Sequence, residues 1–164
     1  MTLAEQLRPT VSGQVFVDAP ADEVYRLVGD PVAMVAFSEE VRRVRLLDGA
    51  TRVKVGTRFR GDNRNGRHRW WTIATVVEEV EGRSLAYEVR TPFFVPIAQW
   101  RYDVEPSGTG CVVTESMWMR VPRWFGPIAN LITGEPDRLK ANRAHIASTL
   151  GRLKRHVESS VRGR

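Results

Sequence analysis

The sequence predicts an α+β domain in which a curved antiparallel sheet covers one long C-terminal helix. Three observations carry this. From Pro136 to about Glu158, Leu139, Ile146, Leu150, Leu153 and Val157 recur at helical spacing, with Arg138, Lys140, Arg143, Arg152, Lys154 and Arg155 largely between them. Such an amphipathic helix must bury one face. Upstream, apart from one short helical interruption, the chain alternates with a period of two, as half-buried strands do. The 164 residues suit a single domain that buries about two-thirds of the surface exposed by the unfolded chain, enough for a core and a cavity. An antiparallel sheet with one wet face is the economical cover for the helix. Residues 1–11 read as an N-terminal arm, 12–158 as the domain and 159–164 as a basic tail.

The elements follow in order. Residues 12–18 alternate Val15 and Val17 against Gln14, Phe16 and Asp18 and read as the first strand. Pro20 then suits a first helical turn, Asp22 and Glu23 complement the helix dipole, and Val24, Leu27 and Val28 form an apolar stripe that ends near Gly29. Asp30-Pro31 restarts a second short helix carrying Met34, Val35 and Phe37. Residues 40–47 are expected as the next strand, closed by Asp48-Gly49, although Val41, Val44 and Leu47 also fit helical spacing. Residues 56–63 and 67–79 form a hairpin, with Asn65-Gly66 expected at the two central turn positions because this pair tolerates positive φ. Strands at 84–90, 98–105 and 111–121 complete the order: strand, two helices, six strands, long helix.

The net charge of +6 raises a nucleic-acid reading, because Lys and Arg neutralise phosphates. Its densest group, Arg58, Arg60, Arg64, Arg67 and Arg69, falls on the hairpin, where outward Arg also keeps a strand face soluble. No helix-turn-helix, finger spacing or RNP-type aromatic motif accompanies it, so DNA binding is not expected and an RNA- or ribosome-interacting module ranks last. No apolar run is long enough to span a bilayer and no export signal opens the chain, so the expected location is the cytoplasm. The single Cys111 cannot form an internal disulfide and reads as a buried strand residue.

The segments DAPADEVYRLVGDP, VGTRFRGDNRNGRHRWWTIATVVEEVEGRSLAYEV and WRYDVEPSGTGCVVTES, followed by the amphipathic helix, together resemble the polyketide cyclase/dehydrase-like branch of the START/Bet v 1-like (SRPBCC) superfamily. The resemblance spans roughly residues 12–158. It implies a helix-grip fold, with a seven-stranded antiparallel sheet around the C-terminal helix and a deep, mostly apolar cavity between them. Members include aromatase/cyclases that steer polyketide folding and carriers of lipids and hormones. The resemblance therefore implies an apolar, aromatic or polyketide-like small-molecule ligand, with cofactor-independent cyclisation or dehydration as the enzymatic reading and a non-enzymatic carrier or sensor as the alternative. Where a Trp often follows the second short helix, this chain has Phe37-Ser38, which alters one cavity wall.

Candidate residues follow from strand phase. Trp71, Tyr87, Trp100 and Tyr102 are expected on the concave side with Val89, flat rings with a polar tip being suited to gripping a planar ligand. Core packing is the competing role for each ring. If Val113, Met117 and Met119 face the helix, Glu115 points inward with them, and a buried carboxyl is either paired or raised in pKa. Such a group could serve as general base or proton donor, whereas a partner such as Arg90 or Arg101 would make it a salt-bridge residue. The opposite phase turns Thr114, Ser116 and Trp118 inward. The candidate catalytic residues, in order, are Glu115, Tyr87, Tyr102 and His68. Ligand contacts are expected from these rings and from Val89, Met117 and Ile146. Phe94 and Trp124-Phe125 belong to two apolar loops, 91–96 and 121–127, that read equally as caps on the open end of the core or as a cavity mouth, a surface for a second copy of the chain or a contact with lipid. No P-loop, GxGxxG or Ser-His-Asp order is present, and His145 and His156 stand three turns apart. No metal or cofactor is expected.

Overall fold

The computed structural model describes residues 8–164. Strand β1 (Val11–Val17) leads to helix α1 (Ala21–Val28) and helix α2 (Pro31–Met34), which runs into a 3-10 turn (Val35–Phe37). Strands β2 (Val41–Leu46), β3 (Arg58–Asn65), β4 (His68–Val80), β5 (Ser84–Arg90), β6 (Pro96–Ser107) and β7 (Gly110–Met119) follow. Helix α3 (Gly126–Thr133) and the long helix α4 (Arg138–Arg162) close the chain, so most of the basic tail is helical. All seven strands form one antiparallel sheet in the order β1-β7-β6-β5-β4-β3-β2. This is the expected helix-grip arrangement, and among the described residues no helix is long and apolar enough to cross a membrane.

Local chemistry fixes the junctions. Asp30 accepts from the backbone N–H groups of Val32 and Ala33, capping α2 just ahead of Pro31, whose missing N–H costs nothing in a first turn. Asp137 caps α4 in the same way, accepting from the Lys140 N–H. The β3–β4 turn differs from expectation by one residue. Asn65 pairs with His68 in the ladder, so Gly66 and Arg67 are the central residues. Only Gly66 takes positive φ (58°), the pattern of a turn that needs glycine at its first central position alone.

The core lies where α4 meets β1 and β7. Val17, Val104, Val113, Met117 and Leu153 are fully buried there. Gly13 permits the close approach, because a Cβ on it would lie 2.8 Å from Ile146 Cγ2. A second, smaller cluster of Phe59, Ala74, Val76 and Leu85 sits under the other half of the sheet, and Tyr87 packs against both. Between the two clusters the sheet and helix do not meet.

Candidate functional site

That gap is a cavity of about 240 Å³, walled by the concave face of the sheet, by α2 and its 3-10 turn, and by one face of α4. Strand alternation chooses its side chains. On β4, Trp70, Thr72 and Ala74 face in, and on β6 Ala98, Trp100 and Tyr102 do. On β7 the inward set is Glu115, Met117 and Met119, which resolves the strand's phase in favour of a buried Glu115, only 4 % exposed.

Glu115 sits directly opposite Tyr102 on β6 and opposite Gly13 on β1. The Tyr102 hydroxyl donates to Glu115 Oε1 at 2.7 Å. On the Gly13 side there is no side chain to answer it, only Ile146 and Leu150 of α4 beyond. Glu115 Oε2 is buried with no hydrogen-bond partner among the described residues. Burial pushes the Glu115 carboxyl up to about 8, and the Tyr102 bond draws it back only in part. Tyr102 is itself held well above its ordinary value, by burial first and then by the neighbouring Glu115 charge. Tyr87 is diagonal to it across the β5–β6 pair and is raised by the same causes. The proposed salt-bridge partners lie elsewhere: Arg101 bonds Glu78 (2.7 Å) and Asp103 (2.9 Å), and Arg90 approaches Glu88.

The cavity thus brings together Glu115, Tyr87, Tyr102, Val89, Trp100 and Met117. It does not include the other candidates. Trp71 lies on the outer face of β4, 38 % exposed, with the Arg60 guanidinium 4.2 Å from its ring, and Trp70 takes the inward position instead. His68 begins β4 and packs against Gly134 between α3 and α4, away from the carboxyl. Ile146 faces Gly13 in the core and lies outside the cavity wall, because the apolar stripe of α4 is what the sheet covers. Phe94 and Trp124 are largely solvent-exposed, at 73 % and 66 %, and Phe125 stacks edge-on to Trp124. Phe37 turns to His156 on α4 and leaves Ser38 on the wall.

Besides Trp70 and further apolar wall residues, the cavity holds polar side chains that the sequence did not single out. Arg138, Asn142, His145 and Thr149 line the cavity from α4 at spacings of four, three and four, a row beside the apolar stripe. The legible signal was the uncharged Asn142 and Thr149 in a helix otherwise crowded with Arg and Lys. Arg138 Nη1 donates to both carboxylate oxygens of Glu40 (2.9 and 3.0 Å), and its guanidinium lies 5.8 Å from the Trp70 ring. Arg138 Nη2 is buried and unpartnered among the described residues. Among those residues, no three potential metal-ligating side chains converge.

Residues 8–158 match the model of the polyketide cyclase/dehydrase and lipid transport family. The chain belongs to that family. Solved structures with the same fold include a polyketide-cyclase-like protein from Corynebacterium glutamicum, 23 % identical over 94 % of this chain and 95 % of that one, with a TM-score of 0.63. The di-domain ARO/CYC StfQ of the steffimycin biosynthetic pathway is 18 % identical with a TM-score of 0.70. The alignment covers 94 % of this chain and 51 % of StfQ, so the chain spans about half of that protein. DynU16, encoded in the dynemicin biosynthetic locus, is 16 % identical over 92 % of this chain and 47 % of its own, with a TM-score of 0.61. Comparison with proteins of curated function gave no match.

Proposed function

We propose that this family member binds an apolar, aromatic or polyketide-like molecule in the cavity and promotes its cyclisation or dehydration by proton transfer at Glu115. The observation that carries the reading is the Tyr102–Glu115 pair, a carboxyl with one satisfied and one unsatisfied oxygen among aromatic walls. A carboxyl pushed up to about 8 exists in both forms near neutrality, which suits a group that must take a proton and return it. In an aldol-type closure the Glu115 carboxylate removes a proton α to a carbonyl. The freed electron pair forms the new carbon–carbon bond to a second carbonyl carbon, whose π pair moves to its oxygen. The proton on Glu115 then passes to that alkoxide, leaving enzyme and charge unchanged. Dehydration follows when the Glu115 carboxylate removes a further α proton, the freed pair forms the carbon–carbon double bond as the neighbouring hydroxyl leaves, and the proton passes from Glu115 to that oxygen to give water. Tyr102 holds the carboxyl in place, and Trp70 and Trp100 supply flat walls that limit how the chain folds.

The test is turnover of a synthetic poly-β-ketoacyl thioester, followed by aromatic absorbance and product mass. Wild type is expected to accelerate ring formation, and Glu115→Gln to reduce it by about a hundredfold or more while leaving binding within a few-fold. Equal rates for both proteins would contradict the reading. The family's lipid-transport description favours a second reading, a carrier, which predicts saturable binding with no turnover by either protein.

A further inference from the structure

We infer that the ligand carries oxygen at both ends of an apolar body: an acyl oxygen that meets Arg138 and a hydroxyl or carbonyl that meets Glu115. This rests on the ligand-binding reading above and adds the chemical class of what is bound. The cavity contains two buried polar atoms with no partner among the described residues, Arg138 Nη2 and Glu115 Oε2, one on the helix and one on the sheet. Leaving either unpaired carries the desolvation cost of a buried polar group, so each marks where a ligand atom belongs.

Two neighbours hold Arg138. Its Nη1 is committed to both oxygens of Glu40, and its guanidinium lies near the Trp70 ring. The free Nη2 is a donor only, so its complement is an acceptor. Arg138 is also the first residue of a 25-residue helix, where the backbone presents its positive end. An acyl oxygen fits both features, and it can come from a free acid or from an ester or thioester. Glu115 lies at the level of Gly13, which faces Ile146 and Leu150 of α4. From Arg138 to that level is about eight to twelve residues, or about 12 to 18 Å along the helix. The Arg138 side chain is 21 % exposed and Glu115 is buried, so the acyl end lies toward solvent and the second oxygen lies on the floor. A medium-length acyl chain or a fused polycyclic acid spans this interval.

The experiment is a titration of tryptophan fluorescence, reported by Trp70 and Trp100, with dodecanoate, methyl dodecanoate, ω-hydroxydodecanoate and 1-dodecanol. Wild type is expected to bind dodecanoate about tenfold or more tightly than 1-dodecanol, and ω-hydroxydodecanoate more tightly still. The methyl ester distinguishes the sources: affinity near that of the acid indicates an esterified acyl group, and affinity nearer the alcohol a free acid. In the double variant R138Q/E40Q, which replaces the ion pair with a neutral hydrogen-bonding pair, the preference for acyl probes should vanish while 1-dodecanol binds as before. Glu115→Gln should keep that preference and change only the gain from the ω-hydroxyl. Circular dichroism of each variant verifies its fold. Equal wild-type affinities for acyl probes and alcohol, or a preference that survives R138Q/E40Q, would overturn the inference. Failure of every probe to bind saturably would overturn the ligand-binding reading and this inference with it.

Discussion

The two halves of α4 face the same sheet and do different things. The C-terminal half, with Leu150, Leu153 and Val157, closes against Val17, Val104 and Val113 in a dry core. The N-terminal half turns Arg138, Asn142, His145 and Thr149 toward a space the sheet leaves unfilled. Gly13 brings the helix down onto β1 at Ile146 and Leu150, near the boundary between the halves. One helix thus anchors the fold with its apolar stripe and offers chemistry with the row beside it. Under the proposed ligand-binding role, stability and recognition rest on different residues of one element and can be separated by mutation.

The largest effect expected is in the pH dependence of stability. Glu115 has a folded value of about 8 against an ordinary 4.5, so between those values the unfolded chain has lost a proton that the folded chain keeps. Folding is therefore most favoured, as far as this group is concerned, below about pH 4.5. That contribution is lost progressively toward pH 8, on the order of 5 kcal/mol in all. Urea unfolding across this range should show the decline in wild type and a much flatter profile in Glu115→Gln. Next in size, Leu153→Ala in the dry half should cost about 3 kcal/mol in the same assay while leaving probe affinity within about twofold, because the cavity does not include it. Thr149→Val on the cavity half reverses the pattern: a stability change within about 1 kcal/mol, with an altered order of probe affinities. Smallest of all, Trp71→Phe should leave the ligand-induced fluorescence change intact, whereas Trp70→Phe should diminish it.

What the sequence made legible was period, and what it left open was phase. The apolar stripe of α4 and the alternating strands sufficed for the fold, since burial of one face leaves few arrangements. Strand phase decided the site. Adjacent Trp70 and Trp71 must face opposite ways, and only the register of β4 with β3, Asn63 opposite Trp70 and Asp62 opposite Trp71, selects which. Glu115 could be read as buried on one of two phases because Val113 and Met117 share its side. Ile146 illustrates a different limit. Helical periodicity identifies the buried stripe but not whether a sheet or a cavity lies opposite, and here the absent side chain of Gly13 makes it sheet. Arg138 looked like one more solvated cation, since its partner Glu40 is far away in sequence.

Proton transfer at Glu115 depends most on a buried carboxyl that titrates close to neutral pH inside the cavity. The direct measurement is a pH titration of the side-chain carboxyl carbon of Glu115 by NMR in protein labelled with ¹³C-glutamate, the signal assigned by its loss in Glu115→Gln. The account predicts a midpoint near pH 8, moving higher in Tyr102→Phe, which removes the one hydrogen bond that favours the carboxylate. A midpoint between about 4 and 5, unchanged by Tyr102→Phe, would mean an ordinary ionised glutamate and would contradict it.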